Sequence, residues 1–211
     1  MTEYADLLKA DTGQPARSIQ LVDAKTFDTW LNAQPERVRA AVTGQKFAGK
    51  GYEYAILPGE LAGEWSVVSG VANVNSLSSW CLAKLGEVLP AGTYRLAEGK
   101  PGPAVHGWMT AQYSFGRYKK EKPGEGARVL LTPEPAAIAD AVRVAQAIAL
   151  VRDMVNIPAA DMGPAEIEAQ AAAIAKANHA KIHVTRGDAL AKNYPMIHAV
   201  GRAADRARDP R

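Results

Sequence analysis

Hydrophobic and polar positions along the chain change period several times, and each change marks an element. Ser18-Ile-Gln-Leu-Val22 alternates polar and apolar, the period of a strand with one buried face. Asp23 then caps a helix reaching about Ala33, with Phe27, Trp30 and Leu31 at helical spacing. Pro35 reopens a helix through Val38 and Val42. Tyr52 to Leu57 reads as a strand stopped by Pro58-Gly59, and Trp65 to Val71 as another. Ser76 is expected to cap a helix through Leu85 that Gly86 closes. Thr93 to Ala97 and Arg128 to Thr132 read as strands, with a helix over His106 to Tyr113 between them. Strands separated by helices predict an α/β fold in which helices cover a sheet.

Thr132-Pro-Glu-Pro135 breaks this alternation and starts a helix, since proline is harmless in a first turn. Ile138, Val142, Ala145, Ile148, Ala149 and Val155 are read as one apolar stripe, with Asp140, Arg143 and Asp153 off it. Pro158 disfavours helix at the residue before it, so the helix ends by Asn156-Ile157. A second unit follows. Gly163-Pro164 opens a helix with Ile167, Ala171, Ile174 and Ala175 on one face. Lys181-Ile-His-Val-Thr185 alternates as a strand, Asp188 to Lys192 is a helical turn, and Pro195 to Val200 is an apolar run of undecided type. So short a stretch cannot close a hydrophobic core alone. Ile167, Ile174, Ile182, Val184 and Ile197 are therefore expected to face a core whose other half is missing.

Composition narrows the chemistry. The 211 residues are 47% hydrophobic and 22% charged, too apolar for intrinsic disorder. Twenty-five Lys+Arg against 22 Asp+Glu leave a formal +3, too small a surplus to imply a polyanion partner. A single cysteine, Cys81, excludes an internal disulfide framework and any multi-cysteine metal site, and fits a reducing compartment. No basic-then-apolar leader opens the sequence, and no window approaches the roughly 18 apolar residues of a membrane span. A cytoplasmic protein with no membrane partner is expected.

The candidate motifs fail one by one. His179 and His183 make an H-x-x-x-H, but Ala180 stands where a zinc protease needs glutamate, and the pair straddles a helix end and a strand start. His106 and His198 lack acidic or cysteine partners at ligand spacing. Cys81 reads as a core residue, and no serine lies in a G-x-S-x-G elbow. Gly49-Lys50-Gly51 lacks the Gly-Lys-Ser/Thr ending of a phosphate loop, and Val68 to Asn73 carries one glycine. Arg117, Lys119, Lys120 and Lys122 interleave with Tyr118 and Glu121 in the most basic stretch, read as a solvated loop rather than a nucleic-acid site. No catalytic, cofactor-binding or metal-ligating residue is assigned.

Three stretches nevertheless carry a resemblance. Arg152-Asp-Met-Val-Asn-Ile-Pro-Ala-Ala-Asp-Met-Gly-Pro-Ala-Glu166 resembles the junction of leucyl (cytosol) aminopeptidases, where a linker helix meets an asparagine-x-proline turn. Pro195 to Arg202 is similar to that family's apolar segment ending in valine-glycine, and Ala111 to Lys119 to its aromatic-basic run. The resemblance implies a macro-like N-terminal domain with a mixed sheet flanked by helices over residues 1–132. A linker helix over 133–157 and the start of an incomplete catalytic α/β domain over 158–211 would follow. It further implies a homo-hexameric exopeptidase acting on peptide substrates through two divalent ions, manganese, zinc or magnesium. The family's lysine–aspartate and Asn-Thr-Asp-Ala-Glu-Gly-Arg signatures do not occur here, so no ligand is carried over and residues 1–211 alone are expected to be inactive. The segment would scaffold and oligomerise, with the rest of the catalytic domain as its partner. The alternative is an independent ligand- or nucleic-acid-binding macro-like module.

Overall fold

The computed structural model describes residues 3–119 and 126–202. Two compact units divide it, Met1–Ala149 and Leu150–Arg211, with the boundary inside one helix.

In the first unit the strands are β1 (Leu8–Ala10), β2 (Arg17–Val22), β3 (Tyr54–Pro58), β4 (Trp65–Gly70), β5 (Gly92–Leu96) and β6 (Arg128–Thr132). They form one six-stranded sheet in the order β1-β6-β5-β2-β4-β3. All neighbours are parallel except β3, which pairs antiparallel with β4. This is the mixed α/β sheet that the alternating pattern predicts. The helices are α1 (Phe27–Asn32), α2 (Glu36–Gly44), α3 (Ala83–Val88), α4 (Val105–Thr110) and α5 (Ile138–Asn156).

Alternation along each strand sends side chains to opposite faces and divides the core in two. Ile19, Val67, Tyr94 and Leu130 meet Leu85, Leu89, Trp108 and Ala145 on one face. Val22, Ala55, Leu57 and Val68 meet Val38, Val42 and Phe47 on the other. At the free edge, Gln45 substitutes for a neighbouring strand. Its amide donates to the Ile56 carbonyl at 2.7 Å and accepts from the Ile56 N–H at 2.9 Å. Satisfying both groups, one residue from Leu57-Pro58, blunts an edge that would otherwise recruit another chain.

The structure corrects several expectations. β1 adds a strand that three residues are too few to announce by period. The helix expected from Ser76 to Leu85 forms only at Ala83–Val88, and Gly86 lies inside it rather than closing it. Gly86 is there because a Cβ would stand 2.4 Å from the Trp108 carbonyl oxygen. Gly107 of α4 has the same reason, with the Ser79 carbonyl 2.5 Å from its notional Cβ. Gly86 lets α3 and α4 pack backbone to backbone, and Gly107 lets α4 approach the backbone of Ser79 and Trp80 just before α3. In α1, Asp23 closes a preceding turn and the helix starts at Phe27. The single stripe read on α5 is also corrected: Ile138, Ala141, Val142, Ala145 and Ala149 meet the core, while Val155 is 78% exposed.

In the second unit, α6 (Pro164–Ala177), α7 (Gly187–Asn193) and α8 (Pro195–Gly201) are helices. Gly163 N–H donates to the Glu166 carboxylate at 2.9 Å, which satisfies one orphan donor at the start of α6. The undecided run Pro195 to Val200 is α8. The strand expected at Lys181–Thr185 is not formed among the described residues, because a strand exists only through a partner's ladder and no second strand is present in this unit.

Candidate functional site

The sheet order fixes where a ligand crevice would open. From β2 the chain passes through the edge strand β3 to β4 on one side, and from β4 it returns to β5 on the other side of β2. This reversal places a topological switch at the carboxyl end of β2. Asp23 sits there, buried, with both oxygens engaged. Oδ1 accepts from the N–H groups of Lys25 at 2.9 Å and Thr26 at 3.0 Å. Oδ2 accepts from the Val74 N–H at 3.0 Å, 51 residues away in sequence. The Val74 hydrogen bond, followed by those from Lys25 and Thr26, holds the Asp23 carboxyl below its ordinary value against the opposing effect of burial. This carboxylate fastens the loop after β4 to the turn that follows β2.

A depressed carboxyl titrates at lower pH folded than unfolded. Its stabilisation is therefore present at neutral pH and is lost as pH falls through the carboxylate range toward the folded value. Asp23→Asn keeps the size but turns an NH₂ toward one of the backbone donors. We expect it to melt lower than the parent protein at pH 7, with the difference shrinking below about pH 4. Thermal melts of both proteins across pH 3–8 check this; a gap that widens on acidification would contradict it.

The glycine-flanked lysine is likewise spoken for. The N–H groups of Ala48 and Lys50, which a bound phosphate would need, donate to the Glu53 carboxylate at 2.9 and 3.2 Å. In the Val68–Asn73 stretch, Val71 N–H donates to the Val22 carbonyl at 2.8 Å, and Gly70 lies against the Lys50 backbone. Cys81 is half-buried against the core with its sulfur 3.3 Å from the Ser78 nitrogen. His106 meets Trp80 edge-on at 5.0 Å. His179 occupies a left-handed turn after α6 at φ 52°, and His183 is exposed. Arg117 stacks over Tyr118 at 5.7 Å, while Lys120 and Lys122 lie outside the described residues. Among the described residues no group of three His, Cys, Asp or Glu side chains is placed to hold a metal ion. No helix is long and apolar enough to cross a membrane among them.

The second unit contains a different kind of surface: of the residues expected to face a core with a missing half, Ile167, Ile182, Val184 and Ile197 line it and Ile174 does not. Ile167 of α6, Ile182 and Val184, and Met196, Ile197 and Val200 of α8 line one open groove of about 670 Å³. Ile167 and Ile197 remain about half exposed, and Met196 is 81% exposed. So much clustered aliphatic surface is unusual on a finished domain and marks a surface built to be covered.

The class is a mixed-sheet α/β domain joined through a helix to a second unit whose apolar groove is open. A family profile described as the N-terminal domain of M17 aminopeptidases matches residues 18–132. The chain belongs to the M17 aminopeptidase family. A probable cytosol aminopeptidase of Rhodococcus erythropolis is 33% identical over 119 residues, covering 50% of this chain and 24% of that protein. The crystal structure of a cytosol aminopeptidase from Coxiella burnetii superposes with a TM-score of 0.77 at 27% identity. That alignment covers 94% of this chain and 44% of the other. A bottromycin maturation enzyme, BotP, in complex with Mn superposes with a TM-score of 0.67 at 20% identity over 93% of this chain and 44% of its own. The chain thus spans less than half the length of the relatives it matches.

Proposed function

We propose that residues 1–211 are the N-terminal portion of a two-metal leucyl-aminopeptidase-like exopeptidase that removes N-terminal residues from peptides. The division is an N-terminal domain over 1–132, a linker helix over 133–157 and the start of the catalytic domain over 158–211. One observation carries the reading: the Coxiella structure aligns with 94% of this chain yet extends over more than twice its length. The family profile over residues 18–132 supports the same assignment. The first unit, with a core on both sheet faces and its carboxylate at the switch point bonded inward, acts as a scaffold and contributes to a homo-hexamer. The second unit supplies α6, α8 and the groove between them, on which the rest of the catalytic domain folds.

The relative crystallised with Mn supports divalent-metal chemistry, with manganese, zinc or magnesium as the native ions. The described residues do not fit such a centre, since they offer no group of ligands for it. The ligands belong to the remainder of the enzyme, and no reaction step is assigned to a side chain of this chain. The name of the Rhodococcus relative supports a cytoplasmic location.

Purified residues 1–211 are expected to give no detectable hydrolysis of a leucine anilide with added Mn, Zn or Mg. Co-expression with the catalytic remainder encoded downstream is expected to give chelator-sensitive turnover. Chelator-sensitive turnover proportional to the 211-residue chain alone would overturn the reading.

A further inference from the structure

A polar groove of about 670 Å³ opens in the first unit, at the amino ends of the parallel strands β2, β4 and β5. It lies at the other end of β2 from Asp23, in a unit whose sheet carries a core on both faces. Arg17 begins β2 and Trp65 begins β4, and the guanidinium carbon stands 4.3 Å from the centroid of the Trp65 ring. Arg17 Nη1 reaches to 2.6 Å from where a Cβ on Gly92 would stand, so glycine there leaves the guanidinium its place. Stacking uses the face of the guanidinium and leaves its N–H donors, which lie in the plane, open to a ligand. Among the described residues the Arg17 side chain makes no hydrogen bond and no ion pair. A fixed cation with its donors open is the half of a site that a carboxylate completes through paired N–H···O bonds.

Glu64 lines the same groove from the turn between β3 and β4. Its Oε2 accepts from the Leu61 N–H at 3.2 Å, which ties the carboxylate to its own turn. Oε1 has no partner among the described residues, and Glu64 forms no ion pair with Arg17. One groove thus presents a cation and an anion that do not satisfy each other. Ser66 and Thr93 stand on its wall, and their hydroxyls make no hydrogen bond among the described residues.

We propose that this groove binds a free α-amino acid, with its carboxylate on the Arg17 guanidinium and its ammonium on Glu64 Oε1. The pairing of charges selects the ligand class. A simple anion drawn to Arg17 meets Glu64 as a like charge, and a simple cation drawn to Glu64 meets Arg17, whereas a zwitterion is opposed by neither. Pro15 and Ala16 supply an apolar stretch of wall against which an aliphatic side chain packs, so leucine is the probe of choice. The ligand class follows from the groove and not from the proposed function, although an exopeptidase releases molecules of this kind.

Nuclear magnetic resonance titration of the labelled 211-residue chain at neutral pH and low salt tests this with four probes: leucine, leucinamide, 4-methylpentanoate and inorganic phosphate. Leucine should shift the Trp65 indole N–H and the amides of Ser66 and Thr93, with a Kd of about 1 mM. Leucinamide lacks the carboxylate and 4-methylpentanoate lacks the ammonium, so each should bind about three- to tenfold more weakly. Arg17→Gln should weaken leucine about tenfold. Glu64→Gln should weaken leucine but tighten 4-methylpentanoate, a reversal that a merely structural role for Glu64 would not produce. The four probes on the parent chain keep the test decisive should Arg17→Gln fold poorly. Leucine that leaves these resonances unmoved at about 10 mM would overturn the proposal. So would phosphate or 4-methylpentanoate binding as tightly as leucine, or leucine binding indifferent to Glu64→Gln. Turnover plays no part in the readout, so failure here leaves the aminopeptidase reading standing, and failure of that reading leaves this binding unchanged.

Discussion

Replacing Trp108 by alanine is expected to cost the first unit about 3–5 kcal/mol, the range for deleting a large aromatic from a packed core. Trp108 is fully buried on α4, with its ring 5.6 Å from that of Tyr94. Its indole N–H donates to the Arg128 carbonyl at 2.9 Å, but Gln112 donates to the same oxygen at 2.9 Å. The substitution therefore leaves no orphaned acceptor, and the loss is one of volume. The α3–α4 backbone contact through Gly86 keeps the site from collapsing, which puts the expected cost toward the upper part of the range. Against a typical domain stability of about 5–15 kcal/mol, that removes a large fraction. Denaturant melts should show a lower midpoint with an unchanged slope. Trp80→Ala is the contrast: Trp80 is 48% exposed against His106, and its loss should cost about 1 kcal/mol or less. Equal effects would contradict the packing described.

Gly70→Ala should destabilise by about 1–3 kcal/mol or more and should displace the loop between α2 and β3. A Cβ at Gly70 would lie 2.0 Å from the Lys50 carbonyl oxygen and 2.7 Å from the Gly49 carbonyl carbon. Both are backbone atoms, so no side chain can swing aside. The loop is also tied to this residue: Gly70 N–H donates to the Glu53 carbonyl at 2.9 Å, and Tyr52 N–H donates to the Gly70 carbonyl at 3.2 Å. Tyr52 holds a left-handed backbone at φ 67° to make that contact. Amide exchange should quicken at Tyr52 and at Gly70 itself. Gly51→Ala, where a Cβ meets nothing within 4 Å, should change stability by no more than about 0.5 kcal/mol.

The candidate site illustrates how far residues alone can be read. Gly49-Lys50-Gly51 offers amides that suit an anion, and the sequence contains the anion that takes them: Glu53 supplies its own carboxylate. The missing Gly-Lys-Ser/Thr ending argued against a phosphate loop, but only the structure names Glu53 as the partner. No local rule pairs Asp23 with Val74, because the two meet only when β2 and β4 lie side by side. The expectation that Cys81 and the histidines hold no metal and form no nucleophile rests on spacing, because such chemistry needs partners at set intervals.

The sequence by itself determined the elements whose period is strong: β2, β4, β5 and β6 and the helices α2, α5 and α6; it also carried the resemblance to the family whose profile matches residues 18–132. Alternation and 3.6-residue spacing are local, so they survive without knowledge of neighbours. Tertiary structure decided the rest. β1 is a strand only because β6 is beside it, and Gly86 stands inside α3 where the Trp108 backbone leaves no room for a Cβ. Lys181–Thr185 carries the pattern of a strand and stays unpaired among the described residues. A side-chain period fixes which face a residue presents, whereas pairing and close approach depend on atoms far away in the chain.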